Sequence, residues 1–529
     1  MPRELSAADI RQLVEDFAQS SLLLQRSGFS GVELSAGHGH LFHQFFSPHS
    51  NRREDAYGGD WEGRVRIVAE LVAAIRQLCG SQFIIGLKLP GDDGVSGSVG
   101  PEEAAVIADL LTRPRVADYV CFAHGAHARS LELHVPDRHG PPVPYLDTMR
   151  RLRESCNGTP LMALGRITDP AEAEGILARG EAELIGLGRA LIADPAWLPK
   201  ARAGRSNEIR YCVSCNTCWE TIISHRQPIA CINNPRVAEP EEVDWWPART
   251  PETRRVVVVG AGVAGMECAW VAAARGHEVT VLGKGAEPGG AARLRERLPG
   301  GETISSIYDY QQVAAARAGA RLELGRKADV QRVLALRPDA VVLATGGVMH
   351  VPDWLSDDAR ESGLVTDLRT TMAEVLRFKE RQDGTAVVYD MDHSEGTYAG
   401  VELLAKLFTR VVLLTPRDTI ATEIATVTRQ GILRRLSLAG VEIRPLMEPV
   451  WSETIEEEGA LEIRHVYSGR REKLPDLALL TYSTPRVPDI ALLQPLRDAG
   501  VQVHLLGDAL TPHNVLAATA AGHALGNAL

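Results

Sequence analysis

The sequence predicts an α/β chain of several domains: a partial (β/α)8 barrel, a cysteine-rich loop, and two Rossmann-like folds in series. Three observations lead there. Short apolar segments alternate with amphipathic helical ones over the first third of the chain. Four of the eight cysteines stand at 212, 215, 218 and 231. An apolar run, Val256–Val259, opens onto Gly260, Gly262 and Gly265 and then a helical pattern.

Residues 7–28 have apolar positions at helical spacing and end in Gly28, a helix-stop signal. A short strand is expected over 29–34. Helix and strand then recur as 64–78 and 83–89, 102–111 and 118–122, 145–154 and 160–164, and 169–179 and 184–187. This alternation implies right-handed βαβ units on a parallel sheet. The predicted strands number five, where a closed barrel needs eight and about 250 residues. Three strand–helix units are therefore expected to be missing from the N-terminus.

A chain of 529 residues is too long for one core and suggests two to four domains. With 45% hydrophobic and 24% charged residues it has the composition of a soluble globular protein. A net charge of −11 without a basic run argues against nucleic acid or an anionic membrane as partner and fits a small-molecule enzyme. No basic-then-apolar leader follows Met1, and no apolar run reaches the roughly eighteen residues of a membrane helix. The reducing cytoplasm is the expected compartment.

Cys212, Cys215 and Cys218 fall within seven residues, and Cys231 follows after twelve more. Thiolates at every third position can wrap one corner of a cubane, so this spacing suits a [4Fe–4S] cluster. A structural zinc site, which more often uses two separated C-x2-C pairs, stays open on spacing alone. Residues 235–247 are proline-punctuated and polar, as an inter-domain linker would be. The strand, the three glycines, a helix to Arg275 and a strand at 278–282 make a dinucleotide-binding unit. Gly283 and Lys284 stand where an acidic residue would hold the ribose. Lys284 or backbone groups replace it, the ligand carries an extra phosphate, or the site is weak. Residues 339–347 form another buried strand. A second α/β unit starts at Thr385, with a helix around 401–408 and a strand at 410–414. Its turn reads Asp390–Met391–Asp392–His393–Ser394–Glu395–Gly396, whose carboxylates would repel a pyrophosphate, so it is expected to have lost nucleotide binding. A last strand runs into Gly507, Asp508 and Ala509, ahead of a helix from Asn514.

Together with Gly28–Leu34, His38–Leu41, Asn51–Gly59 and Gly188–Pro195, these residues resemble the iron–sulfur flavoproteins that include trimethylamine dehydrogenase and bacterial 2,4-dienoyl-CoA reductase. The most specific parts are Arg53–Gly59 and the cysteine spacing, which is closer to the amine dehydrogenase branch, as is Trp219. The resemblance implies an old-yellow-enzyme-type FMN barrel, a [4Fe–4S] loop at Cys212, Cys215, Cys218 and Cys231, and a glutathione-reductase-like region. It places the FMN phosphate on Gly165, Arg166, Gly188 and Arg189, and Lys88 beside the flavin's N1/C2 edge. His38 matches the active-site histidine. Ser35 replaces a usual His, Asn or Tyr, and His40 replaces a usual tyrosine, whose place as acid it would take. His124 and His127 are further candidates for the pocket lining. Gly260, Gly262, Gly265 and Lys284 would meet an ADP-containing cofactor, and Asp508 with Ala509 its ribityl–phosphate region; that cofactor is FAD, or ADP alone.

The domains are expected at 1–205 (barrel part), 206–250 (iron–sulfur loop and linker), 251–375 with 486–529 (FAD or ADP fold), and 376–485 (degenerate NAD-type fold). The expected activity is oxidation of an amine or N-methyl compound, with electrons passing from FMN through the cluster to an electron-transfer protein. The alternatives are an NAD(P)H-dependent ene or dienoyl-CoA-type reductase, and an electron-transfer or non-catalytic subunit whose barrel a partner chain completes. A homo-oligomer is the other assembly expected.

Overall fold

A computed structural model describes residues 3–529 apart from 114–116, 127–129, 362 and 453. The chain divides into two compact units, Met1–Gly188 and Arg189–Leu529.

Among its described residues the first unit holds five parallel strands, β1 (Gly31–Ser35), β2 (Ile84–Asp92), β3 (Tyr119–His124), β4 (Met162–Ala163) and β5 (Leu184–Ile185). β1–β3 form one sheet and β4–β5 another, and a parallel bridge between Val120 and Leu161 joins them in chain order. Its helices are α1 (Ala7–Arg26), α2 (Leu41–Phe46), α3 (Trp61–Cys79), α4 (Pro101–Thr112), α5 (Leu131–His134), α6 (Leu146–Leu152) and α7 (Pro170–Ala178). α1 begins where Ser6 and Asp9 cap one another reciprocally, and α3 where Asp60 accepts from Gly63 N. The inner face of α3, through Ile67, Val68, Leu71 and Ile75, is fully buried, as are Ile85, Leu87 and Leu89 of β2. The five strands and five longer helices stand where the apolar pattern puts them. α2 and α5 are extra; at six and four residues neither is long enough to show a period.

The second unit opens with α8 (Arg189–Ala193), α9 (Trp197–Arg202) and α10 (Thr217–Ile223). Then come β6 (Arg255–Val259), α11 (Val263–Ala274), β7 (Glu278–Leu282), α12 (Ala291–Glu296), α13 (Ser305–Ala318), β8 (Arg321–Glu323) and β9 (Ala340–Leu343). The strand Gln502–Leu505, near the end of the chain, completes a parallel sheet whose order is that strand, β9, β6, β7, β8. Every residue of α11 is buried, which accounts for its lack of a polar face. A second parallel sheet is centred on Gln382–Asp390, flanked by Phe408–Thr415 and Leu477–Ser483. The helix after Asp390 covers Glu395–Leu407, six residues earlier than the sequence suggests, and Phe408 belongs to the next strand. Among the described residues no helix is long and apolar enough to cross a membrane.

Candidate active site and cofactor cradles

In the first unit the functional side chains gather at the C-terminal ends of β1–β3. β1 ends at Ser35, and the chain turns through His38 in the left-handed region (φ 62°). That turn brings the His38 ring onto His134 of α5, stacked at 3.7 Å between centroids and 12° between planes. His40 stands edge-on to both rings at 6.3 Å and is exposed. Burial, then the charges of His134, Lys88 and its other neighbours, pull the His38 pKa down to about 2. His38 is therefore neutral across the working range, and its buried Nε2 has no hydrogen-bond partner among the described residues. A buried nitrogen without a protein partner, just past a strand end, fits a hydrogen bond to a bound ligand. The sequence alone did not mark His134.

Lys88, in β2, makes an ion pair with Glu33 of β1 at 2.6 Å. Tyr119 Oη donates to the other oxygen of Glu33 at 3.1 Å, and the Cys121 thiol at 3.5 Å. Burial works against the Lys88 charge, but the bond to Glu33 outweighs it and raises the pKa, so this lysine stays positive. Beneath the turn, His43 Nδ1 accepts from Gly39 N at 2.9 Å, which leaves Nε2 to donate to Asp93 at 3.0 Å. His124 stacks on Tyr145 at 4.3 Å, and burial pulls its pKa down to about 4. His127 lies outside the described residues.

Gly165 and Arg166 follow β4. Gly165 (φ 97°) lies against Tyr145, whose ring would be 2.5 Å from a Cβ, and Arg166 (φ 56°) also turns left-handed. The Arg166 guanidinium donates to the carbonyls of Gly140, Pro141 and Arg138. A Cβ on Gly188, after β5, would meet open space. In the second unit Arg189 Nη1 donates to Asn216 Oδ1 of the cysteine loop.

That loop is wound by two left-handed residues, Ser214 (φ 52°) and Asn216 (φ 61°), between Cys212 and α10. Ser214 N donates to Cys212 Sγ at 3.4 Å and Cys215 Sγ contacts Thr217 Oγ1 at 3.2 Å. Cys218 lies in the first turn of α10, and Cys231 returns with backbone N–H groups of Asn233 and Asn234 aimed at its thiol. Burial, then the charges of Cys215 and Cys212, push Cys218 up to about 11 and raise Cys231 further. Four thiols on one loop, Cys218 buried and the other three half-buried, with N–H groups aimed at Cys212 and Cys231, fit a cationic metal centre. Among the described residues no three His, Cys, Asp or Glu converge closely enough for a single ion. Val213 and Ile232 pack on Val263 of α11 and Ile307 of α13, so the loop is docked on the start of the dinucleotide helix.

At that start Gly260 (φ 121°) passes so close to β9 that a Cβ would lie 2.1 Å from Ala344 O. A Cβ on Gly265 would lie 2.0 Å from Gly260 O, while one on Gly262 would meet nothing within 4 Å. Tight turn, close packing and open approach are the three tasks of a pyrophosphate turn. Gly289 and Gly290 come beside it, Gly289 bridging to Gly262; they were missed in the sequence, although their doubled glycine could have marked them. Asp508 accepts from His513 N at 3.1 Å and pairs with Arg486 at 2.8 Å, and Ala509 is buried next to it. Lys284 is exposed after β7.

The description of the NADH:flavin oxidoreductase / NADH oxidase family matches residues 1–208, and that of an NAD(P)-binding Rossmann-like domain matches 258–311. An NADH oxidase of Thermoanaerobacter brockii is 31% identical over 84% of this chain and 67% of its own length. The chain belongs to the NADH:flavin oxidoreductase / NADH oxidase family. An N,N-dimethylglycine/sarcosine dehydrogenase of Chromohalobacter salexigens is 34% identical over 69% of the chain, which spans only 53% of that relative's length. Histamine dehydrogenase from Rhizobium sp. 4-9 superposes with a TM-score of 0.87 at 25% identity, over 100% of this chain and 78% of that one. The FMN-barrel type of the first unit and the Rossmann-like fold of the second are those of this family.

Proposed function

We propose that the chain belongs to a flavin- and iron–sulfur-dependent dehydrogenase that oxidises an amine or N-methyl compound and hands electrons to a protein acceptor. The observation that carries this reading is the turn at Asp390. Where a second Rossmann fold would open its glycines to a nicotinamide nucleotide, this one is filled by its own side chains. Asp390 and His393 are fully buried; Tyr398 Oη donates to Asp390 at 2.7 Å and His393 N at 2.9 Å. His393 in turn contacts Thr422 at 2.8 Å and Thr415 at 3.1 Å. A pyrophosphate would displace this network and face the charge of Asp392. With that entry closed, electrons enter from the other substrate and leave by the cysteine loop.

When bound, FMN would accept a hydride and the [4Fe–4S] cluster would pass electrons on singly. Lys88 keeps a positive charge at the strand ends, and neutral His38 offers Nε2 to the ligand. Gly165, Gly188 and Arg166 would receive the phosphate, with Arg166 trading backbone carbonyls for it. Cys212, Cys215, Cys218 and Cys231 would hold the cluster, which their spacing in the sequence suits. Gly260, Gly262 and Gly265 would seat the ADP moiety. Free thiols throughout suit the cytoplasm.

The test is anaerobic. Loaded protein is mixed with sarcosine, dimethylglycine or dimethylamine, and separately with NADH or NADPH, while flavin absorbance is followed. An N-methyl compound should bleach the flavin and the nucleotides should not; rapid bleaching by either nucleotide overturns the reading.

A further inference from the structure

We infer that the fold built on β6–β9 takes an adenine nucleotide with a second phosphate on its ribose. This rests on the reading of the Gly260 turn as a nucleotide site. Gly260 N donates to Leu282 O at 2.8 Å, so the residues after β7 lie next to that turn. In a dinucleotide fold this is the ribose position, served by a carboxylate when the hydroxyls are free and by a cation when one is phosphorylated.

No carboxylate is there. Gly283 follows β7, where room for a side chain is tight: a Cβ would fall 2.6 Å from Leu324 Cδ2 and 3.1 Å from Ala261 Cβ. Backbone bonds stitch its loop to the loop after β8: Gly283 N to Glu323 O at 3.1 Å, Gly325 N to Gly285 O at 2.8 Å, and Arg326 N to Gly283 O at 3.2 Å. Lys284, Arg326 and Lys327 are thereby carried on two adjoining loops, all exposed. None of them has an ion-pair partner among the described residues. The carboxylates close by are already committed, Glu323 to Arg321 at 2.9 Å and Arg332 at 3.3 Å, and Glu287 to Arg293 at 2.9 Å. The site thus withholds the acceptor that free ribose hydroxyls need and supplies the uncompensated cations that a phosphate needs.

Calorimetric titration of the full chain with 5′-ADP, 2′,5′-ADP and 3′,5′-ADP tests this, and the last two decide which hydroxyl carries the phosphate. One bisphosphate should bind about tenfold or more tighter than 5′-ADP, the size of a new charge-assisted contact. Lys284→Glu, and separately Arg326→Ser with Lys327→Ser, should erase that preference; as exposed loop changes, they should leave the thermal midpoint unmoved. Equal affinity for 5′-ADP, or a preference that survives both variants, overturns the inference while the nucleotide site stands. If none of the three binds, the nucleotide reading itself fails and takes the inference with it.

Discussion

Glu267 shows what a single residue costs when it is charged in the core. It lies in α11, fully buried, with Arg210 Nη2 at 3.2 Å, Gln311 Nε2 at 3.0 Å and His523 Nδ1 at 3.4 Å. Burial would raise its pKa; the charge of Arg210 and the bond to His523 prevail and hold it at about 2. Arg210 also lies over the Tyr310 ring at 3.8 Å, so the segment leading into the cysteine loop is pinned to the dinucleotide helix. Glu267→Ala should cost about 3–5 kcal/mol in urea unfolding, because it strands a buried guanidinium. Adding Arg210→Met should recover most of that loss; if the double variant is no more stable than the single one, the pairing is not what holds the loop. The folded pKa is depressed, so the contribution is present above the usual 4.5 and is lost as pH falls towards 2. Nothing in the sequence marked this pair. A glutamate in a small-residue helix reads as a solvated face, and only packing on both sides of α11 shows otherwise.

At the scale of an element, the turn from Asp390 to Glu395 takes a form that its sequence did not show. Its acidic residues were expected to face a pyrophosphate and repel it. Instead Asp390 is sealed inside. Burial pushes its pKa up to about 6, against the bonds from His393 N and Tyr398. A raised carboxyl pKa makes the folded state the better proton binder, so stability falls as pH rises from the usual 3.8 through 6. In Asp390→Asn that dependence is absent. Wild type should therefore gain thermal stability relative to the variant as pH is lowered from 8 to 4, and parallel curves would show that the carboxyl is not strained. The glycine turn at 260–265 was the opposite case. There residue type alone set the geometry, because φ 121° and a 2.1 Å approach to Ala344 admit only glycine. The histidine cluster falls between the two: His38 and His40 were marked by their place after a strand, whereas His134 reaches them only through a four-residue helix that carries no periodic signal.

Across the whole molecule, the order of parts was readable because each has its own period or spacing: alternating strands and helices, cysteines three apart, a strand running into glycines. What each part depends on was not readable, since that is set by which unit encloses it. All four cysteines, the asparagines that donate to Cys231 and the apolar residues that dock the loop belong to Arg189–Leu529. The residues assigned to the flavin face, His38, Lys88, Gly165 and Arg166, belong to Met1–Gly188, whose five described strands are fewer than the eight of a closed barrel. If each unit keeps its own cofactor, the two should be separable in occupancy. Stripping flavin from the purified protein at high bromide should leave iron at about four atoms per chain, the content of one [4Fe–4S] cluster. Cys231→Ser should abolish iron binding without changing the flavin that added FMN restores. Iron that falls in step with flavin would mean that the cluster is held by both units, and that the division of labour drawn from their separate cores is wrong.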